Sequence, residues 1–291
     1  MKSTDGDGAH AELSRGPEAI GALSRIGEHS VQAALAIPRR GHVFDLGLEF
    51  NSRIPHNPEF VRFAMAFTHT PETTGKASAF QYSVESIFGA LHIGTHIDSL
   101  IHVQKDDRIY GGHLAGDSRD DRGWKKHGIE TVPPIVGRAL CLDIPRLKGL
   151  TRLPDRYEVT IDDLKQELER AGREIRAGDI VLVRTGKIQD FGDEAAFQAA
   201  EPGVGRDAAL WLYQAGMAVL GTDTTGTEPL PFNDPAVTTH AAMLVECGVH
   251  LIENLYLEDV GREEVSEGLF VALPLKITGA TGSWIRPVLI V

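Results

Sequence analysis

The stretch His92-Ile93-Gly94-Thr95-His96-Ile97-Asp98-Ser99-Leu100-Ile101-His102 is the most informative part of this sequence. It places three histidines and one aspartate within eleven residues. Imidazole nitrogens and carboxylate oxygens are the ligands of catalytic zinc, manganese and iron sites, whereas structural zinc sites usually add thiolates. No cysteine lies in this stretch, so the pattern predicts a hydrolytic metal site.

The spacing of these residues shows that the segment cannot be a single regular strand or a single regular helix if they share one ion. On a strand, His92 and His96 would lie about 13 Å apart, at about 3.3 Å per residue, which is too far to share an ion. On a helix, His92 and His96 would share a face, but Asp98 would point away. The chain must therefore bend, and Gly94 gives it the freedom to do so. We expect a turn or a distorted strand end, with His96 and Asp98 on one side of a short extended piece.

An ordinary core role is the alternative for these histidines. A lone histidine on an apolar face is usually a core residue with satisfied hydrogen bonds. Here Ile93, Ile97 and Leu100 indicate that the whole segment is buried. Three buried histidines and an aspartate need partners, because an unpaired buried charge is costly. A metal ion provides such a partner, so we favour the metal site.

Composition and charge bound the class of protein. With 291 residues, 42% of them hydrophobic and 24% charged, the chain fits one large soluble domain, with or without an irregular arm. The net charge of −12 argues against a nucleic-acid partner, because nothing offsets phosphate repulsion. No stretch approaches the roughly 18–20 apolar residues of a membrane span, and the polar segment 1–16 lacks the apolar core of a signal peptide. We expect a cytoplasmic protein with no membrane partner.

The chain divides into an N-terminal arm, 1–40, and a catalytic domain, 41–291. We expect 1–16 to be partly disordered, and the rough amphipathic pattern of 17–40 predicts a helical arm over the body or a neighbouring subunit. The segment 55–78 is expected to be irregular, as in a lid or a binding loop. Two isolated cysteines in apolar surroundings, Cys141 and Cys247, favour buried free thiols over a disulfide.

Alternating apolar strands and helices predict an α/β fold. We expect strands near 42–48, 135–144, 180–185, 218–221, 249–252, 269–275 and 285–291. We expect helices that begin after Thr160, which with Asp163 resembles a capping box, over 205–215, and from Pro235 to about 246.

Polar residues at the ends of these elements are weaker site candidates. His240 lies inside the third predicted helix, and Glu253 ends the strand that follows it. Asp223 follows an apolar strand, where ligand sites of open α/β sheets gather. It either orients a ligand histidine or caps a turn. Tyr110 is expected in a turn near the site mouth, and we treat three further histidines as background: His113, His127 and His250.

Taken in order, these motifs resemble those of a known family. His92-x-Gly94-Thr95-His96-x-Asp98, followed by His102, resembles the H-x-G-T-H-x-D-x-P-x-H signature of the cyclase family, which includes bacterial kynurenine formamidase and isatin hydrolase. The segments 178–186, 221–223 and 253–255 also recur in order, so the resemblance covers roughly 42–291. Leu100 replaces the proline of the signature, and the segment 55–78 departs from a minimal formamidase. With these departures, the sequence resembles a longer branch of the family.

The resemblance implies a fold, an oligomer and a set of roles. It implies a swivelling β/β/α-type domain that assembles as a homodimer or homotetramer and binds a small-molecule substrate. It implies His92, His96 and Asp98 as metal ligands, with His240 and Glu253 completing a second site that Asp98 bridges. It implies His102 as the general acid/base. Five further residues are expected to bind substrate or to support the ligands: Thr95, Asp223, Phe60, Phe63 and Tyr110.

The leading hypothesis is metal-dependent hydrolysis of an amide C–N bond, in a formamide, cyclic amide or imide. One or two Zn²⁺ or Mn²⁺ ions per chain would activate water, with His102 transferring the proton. A lactone hydrolase is an alternative, as is a non-hydrolytic cyclase or lyase in which the metal polarises a carbonyl. A binding protein without turnover is a third class, but it would need no free base beside the ion.

Overall fold

The protein is described by a computed structural model that covers residues 17–74 and 80–291. The described residues form these strands: β1 (Val43–Asp45), β2 (Ala64–His69), β3 (Val84–Phe88), β4 (His96–Asp98), β5 (Arg119–Asp120), β6 (Gly123–Trp124), β7 (Ile135–Asp143), β8 (Glu158–Val159), β9 (Ile180–Arg184), β10 (Gly203–Val204), β11 (Val219–Thr222), β12 (His250–Glu253), β13 (Glu267–Ala272), β14 (Gly282–Trp284) and β15 (Val288–Ile290).

Nine of these strands form one mixed sheet in the order β1-β15-β13-β7-β9-β11-β12-β4-β14. Its centre, β7-β9-β11-β12, is parallel, and the strands on either side of the centre are antiparallel. The central strands are almost continuous apolar runs because both of their faces are covered. Three short pairs stand apart from this sheet: β2-β3, β5-β6 and β8-β10.

The described helices are α1 (Pro17–Ile20), α2 (Glu28–Leu35), α3 (Pro71–Thr74), α4 (Ile144–Leu147), α5 (Ile161–Ala171), α6 (Glu194–Ala199), α7 (Arg206–Ala215) and α8 (Glu258–Arg262). One π-helix spans Ala241–Cys247, and short 3₁₀ helices span Gly21–Arg25, Tyr110–Gly112, Gly116–Ser118, Ile129–Thr131 and Lys187–Asp190. The capping box predicted at Thr160 is confirmed: Thr160 and Asp163 exchange side-chain to backbone hydrogen bonds.

Alternate residues of the central strands fill two hydrophobic layers, one on each face of the sheet. On β9, Val181 and Val183 pack with α5, α7 and the π-helix, whereas Ile180 and Leu182 pack with the N-terminal segment and β13. Both layers consist mainly of buried aliphatic side chains. The two-residue period of a strand therefore explains why these runs need no polar face.

The α/β class is confirmed. The predicted strands recur with bounds that are shorter or shifted by a few residues, and α5 and α7 begin where the sequence predicts. The arm is helical but broken into α1, the 3₁₀ helix Gly21–Arg25 and α2. It covers the body, because Ala22 N–H donates to the Gly248 carbonyl and Arg25 donates to two backbone carbonyls, those of Tyr213 and Met217. The disorder predicted for 1–16 lies outside the described residues, and the domain boundary at 40/41 stays a prediction.

Two predicted elements are wrong. No helix begins at Pro235, because the Asp234 carboxylate accepts from Ala236 N–H in a turn and helical structure begins only near Thr239. The segment 55–78 is not irregular throughout, because its Ala64–His69 portion pairs with β3 as an exposed ribbon. Residues 75–79 lie outside the described residues.

Both cysteines are buried and free, as predicted. Within the described ranges, no helix has the length and apolar character needed to cross a membrane.

Candidate metal centre

The predicted turn between His92 and His96 is present in the structure. Gly94 has a φ of 58°, in the left-handed region that favours glycine. A Cβ atom at this position would lie 2.7 Å from Ile54 Cδ1 and from Phe50 Cζ. The turn places the Gly94 carbonyl oxygen 2.8 Å from His96 Nδ1. Because a carbonyl only accepts, His96 Nδ1 carries a proton and Nε2 is the nitrogen available to the centre.

Strands β4 and β12 bring together candidates from distant parts of the chain. His96 lies opposite Glu253 in the register of these strands, and Asp98 follows two residues later on the same side. His96 Nε2 lies 3.4 Å from both Asp98 Oδ1 and Glu253 Oε2. His92 Nδ1 lies 2.7 Å from Asp98 Oδ1. His240 Nε2 lies 3.2 Å from Glu253 Oε1 and 3.7 Å from Asp98 Oδ2. All five ligand candidates therefore converge on one centre.

His102 lies on the accessible side of this centre, where His92 and His240 are also partly exposed. Its ring stacks on that of His92, with centroids 3.7 Å apart, and lies 6.2 Å from that of His240. Ligand atoms of Asp98, His102 and His240 lie within 4.8 Å of one another, as do those of His92, His96 and Asp98. His102 is thus close enough either to transfer a proton beside the centre or to join the ligands.

The buried polar atoms of the centre fit a divalent cation. His96 Nε2 and Asp98 Oδ2 are buried, and they have no hydrogen-bond partner among the described residues. The carboxylates of Asp98 and Glu253 are also buried, and buried negative charge needs a compensating cation. Nitrogen and oxygen donors without a thiolate suit zinc or manganese. The donor set and the lack of other partners therefore both fit a metal ion.

The same negative charge sets the proton affinity of the histidines. Burial opposes a charge on His96, but the carboxylates of Asp98 and Glu253 outweigh it and raise the pKa of His96 to about 10. Burial also opposes a charge on His240, yet neighbouring carboxylates raise its pKa well above the usual value. Burial lowers the pKa of His102 to about 4, although Asp98 opposes this shift. Positive charge is therefore attracted to the inner side of the centre, and His102 stays neutral.

Side chains of the segment that follows β11 form hydrogen bonds with the two distal ligand candidates, His240 and Glu253. Glu228 Oε2 accepts from the backbone N–H of His240 at 3.1 Å and lies 2.6 Å from His240 Nδ1. Thr227 Oγ1 donates to Glu253 Oε1 at 2.8 Å. The two preceding backbone N–H groups donate to the buried Glu201 carboxyl, whose pKa is raised by burial to about 8. The Glu228 carboxylate therefore binds His240 Nδ1 and leaves Nε2 facing the centre. Carboxylates orient many metal-binding histidines in this way.

Sequence reasoning missed several contacts of the centre. Glu228 and Thr227 gave one signal, since they end a polar run that follows the apolar strand β11. His250 was treated as background, yet its Nδ1 lies 2.8 Å from the Asp98 carbonyl oxygen. Thr281 Oγ1 lies 2.8 Å from His92 Nε2. Thr281 comes from a distant segment, so sequence spacing gave no signal for it.

Thr95 and Asp223 support the backbone around the centre. Thr95 Oγ1 accepts from Leu48 N–H at 2.9 Å and donates to the Asn254 carbonyl at 2.7 Å, so it joins three segments. Asp223 accepts from the N–H and hydroxyl of Thr185 and from the next N–H along the chain. Of the two roles considered for Asp223, the structure therefore favours capping the turn after β9 over orienting a ligand histidine.

The three aromatic candidates lie in different places. The Phe60 ring lies 6.4 Å from the His92 ring, on the partly exposed side of the centre. Phe63 packs in the small apolar cluster beside it. Tyr110 packs against His127, with ring centroids 5.5 Å apart. Phe60 is thus the candidate whose contact with the centre is direct.

Comparison with known proteins found one matching family profile and several similar proteins and solved structures. A family profile described as "Putative cyclase" matches residues 44–229. Kynurenine formamidase from Bacillus cereus is 24% identical over 245 residues, which cover 84% of this chain and 95% of that protein. A crystal structure described as that of a novel cyclase matches with a TM-score of 0.86 and 26% identity, over 94% of this chain and 96% of that one. Isatin hydrolase A from Ralstonia solanacearum shares the fold, with a TM-score of 0.67 and 24% identity over 89% of this chain and 95% of that one.

Proposed function

The chain belongs to the cyclase family, and from its centre of histidines and carboxylates we propose that it is a metal-dependent hydrolase of a non-peptide amide C–N bond. The observation that carries the proposal is the convergence of His92, His96, Asp98, His240 and Glu253 beside an accessible histidine, His102. The likeness to kynurenine formamidase supports the choice of an amide as the substrate.

The residues of the centre divide into two sets that share Asp98. His92, His96 and Asp98 would hold one zinc or manganese ion, and His240 and Glu253 with Asp98 would hold a second. When bound, such an ion acts as a Lewis acid that lowers the pKa of water and polarises a carbonyl.

His102 has the position of a proton carrier. Its ring is partly exposed and stacks on His92, so a substrate that enters from the accessible side meets it. In hydrolysis, the oxygen of water adds to the carbonyl carbon while the imidazole of His102 accepts a proton. The C–N bond then breaks, and His102 returns the proton to the leaving nitrogen. The products are a carboxylic acid and an amine.

The accessible side favours an aromatic amide as the substrate. Phe60 lies beside His92 and offers an apolar face next to the reacting group. The names of kynurenine formamidase and isatin hydrolase refer to kynurenine and isatin, which are both aromatic compounds. An aryl formamide or a cyclic aryl amide combines an aromatic ring with a hydrolysable C–N bond, so we place these compounds first.

A turnover screen in ¹⁸O-labelled water tests the proposal. Aryl formamides, isatins, imides and lactones would be incubated with the metal-loaded protein and, as a matched control, with His96→Ala. We expect an aryl amide to be cleaved with one labelled oxygen in the new carboxylate, and the control to be inactive. Turnover of lactones alone would overturn the amide assignment. A product without label would replace hydrolysis by a cyclase or lyase reaction.

A further inference from the structure

The short strand β10 and the residues before it lie against the loop that joins β11 to the π-helix. Glu201 and Leu230 exchange two backbone hydrogen bonds, each of 3.0 Å. Val204 N–H donates to the Thr227 carbonyl at 2.7 Å, and the Val204 carbonyl accepts from Thr239 Oγ1 at 2.8 Å. The loop is therefore held from one side at three points, the last of them close to the start of the π-helix.

The Glu201 side chain adds a fourth contact, inside the bend of this loop. Its two carboxyl oxygens accept from the backbone N–H groups of Thr225 and Gly226, at 2.8 and 2.7 Å. Glu201 is only 2% exposed, so water does not replace these contacts. A single carboxyl group therefore fixes the direction of two consecutive peptide groups.

The next two residues of the loop contact the distal half of the metal centre. Thr227 Oγ1 donates to Glu253 Oε1 at 2.8 Å, and Glu228 Oε2 lies 2.6 Å from His240 Nδ1. Thr227 has a φ of 34°, which a β-branched residue adopts only where its surroundings hold it. The two N–H groups bound by Glu201 immediately precede Thr227 and supply part of that restraint.

We propose that Glu201 is a positioning residue for the distal half of the metal centre. It acts through the peptide groups that precede Thr227 and Glu228, whose side chains in turn orient Glu253 and His240. This role rests on the proposed function for its purpose, since a metal ion would use the oriented ligands. The orientation of His240 itself can be measured without metal or substrate.

Histidine-selective ¹⁵N NMR of the metal-free protein tests this role. The Nδ1 proton of His240 points at the Glu228 carboxylate, whereas that of His96 points at the Gly94 carbonyl and serves as an internal reference. Glu201→Gln keeps one acceptor oxygen but turns an amide NH₂ group toward the second backbone N–H. We expect it to shift the His240 signal upfield, or to lose that signal by exchange with water, and to leave the His96 signal unchanged.

Competition with a chelator measures the consequence for zinc and manganese binding. We expect Glu201→Gln to bind the metal about 10–100-fold more weakly, the usual contribution of groups that orient metal ligands. Glu167→Gln is the matched control, because Glu167 is also fully buried and accepts a backbone N–H, that of Asp143 at 3.1 Å. This control should keep both the metal affinity and the His240 signal.

The proposal would be overturned by an unchanged His240 signal in Glu201→Gln, or by equal losses of metal affinity in this variant and the control. If Glu201→Gln did not fold, Glu201→Asp would replace it. Its side chain is one methylene shorter and no longer reaches both N–H groups, so the same shift is expected and its absence would overturn the proposal. A wild type that binds neither zinc nor manganese would refute the proposed function, and the His240 signal alone would then decide the role of Glu201.

Discussion

At the scale of single residues, the histidines of one motif stand in different surroundings. His96 is fully buried, with Nε2 between two carboxylates, whereas His102 is partly exposed and stacks on His92. A buried nitrogen between acidic groups suits a ligand, and an accessible imidazole suits proton transfer. Residue type and spacing do not separate these roles, because both residues have apolar neighbours, and only the family resemblance assigned them.

Substitution of the two histidines should therefore have different consequences. We expect His102→Ala to keep its metal and to lose about 10²–10⁴-fold in kcat, the usual contribution of a general acid/base. We expect His96→Ala to lose the metal as well as the activity. Elemental analysis and steady-state kinetics on both variants check this. Loss of metal from His102→Ala would make His102 a ligand, and normal turnover would remove its catalytic role.

Glu228 offers a second test at this scale. Its carboxylate holds both the backbone N–H and Nδ1 of His240. Groups that orient a metal-binding histidine typically contribute about 10–100-fold to metal affinity. We expect Glu228→Ala to weaken metal binding by about this factor, and Glu228→Gln by less, because its amide oxygen can still accept from Nδ1. Titration against a competing chelator measures the effect.

Glu246→Ala is the matched control for this substitution. Glu246 lies in the π-helix that follows His240, and it pairs with Lys105 and Arg206 at the surface. Its removal should leave metal affinity unchanged. Equal affinity of Glu228→Ala and the wild type would contradict the positioning role.

At the scale of elements, the turn at Gly94 holds the proximal half of the centre. Its carbonyl accepts from His96 Nδ1 and from the Asn254 amide. Gly94 and Gly112 both have a positive φ, but a Cβ at Gly94 would meet Ile54 and Phe50, whereas one at Gly112 would meet nothing within 4 Å. Alanine substitutions at Gly94 and Gly112 can therefore separate the cost of backbone strain from the cost of steric crowding.

We expect Gly112→Ala to lose about 1–2 kcal/mol of unfolding free energy, the usual cost of a left-handed alanine. Gly94→Ala should lose about 1–3 kcal/mol more through overpacking, and it should also weaken metal binding, because the Gly94 carbonyl moves with the turn. Urea denaturation and metal titration of both variants give the two quantities. Equal losses in the two variants would show that the crowding has no effect.

The elements also show how far sequence reasoning reaches. The central strands and α5 follow from apolar runs and from the Thr160–Asp163 capping box, which are local signals. The ribbon β2-β3 was missed, because both its strands are exposed and lack the strict alternation of apolar and polar residues that marks a half-buried strand. The early helix start at Pro235 was predicted because Asp234 caps a turn as readily as a helix.

In the candidate centre, too, local sequence patterns predicted the parts formed by neighbouring residues and missed those formed by distant segments. The motif 92–102 gave the proximal ligand candidates and the bend between them, because these residues are neighbours in sequence. His240 and Glu253 were only weak candidates by position, and the family resemblance gave them their expected role as ligands. Thr281, Glu228 and the role of Asp223 depend on which segments meet in space, which sequence spacing does not encode.

At the scale of the whole molecule, a bound ion should stabilise the fold. The centre joins β4, β12 and the start of the π-helix, so a ligand that binds there opposes their separation. Binding to the folded state alone contributes about 2.7 kcal/mol when the free ion exceeds its Kd by about one hundred-fold.

We expect chelator to lower the Tm of the wild type and added zinc or manganese to restore it. Calcium, which prefers oxygen ligands alone, should restore little. His96→Ala should show no shift with any of these ions. Differential scanning calorimetry measures each case, and an equal shift in His96→Ala would place the stabilising ion elsewhere.

The metal content of protein purified without chelator or metal-affinity resin tests the central claim most directly. Elemental mass spectrometry would be run on the wild type and on His96→Ala. One or two equivalents of zinc or manganese per wild-type chain, absent from the variant, is the result we predict. A wild type that contains neither metal and takes up neither from solution would contradict the metal centre and the hydrolase built on it.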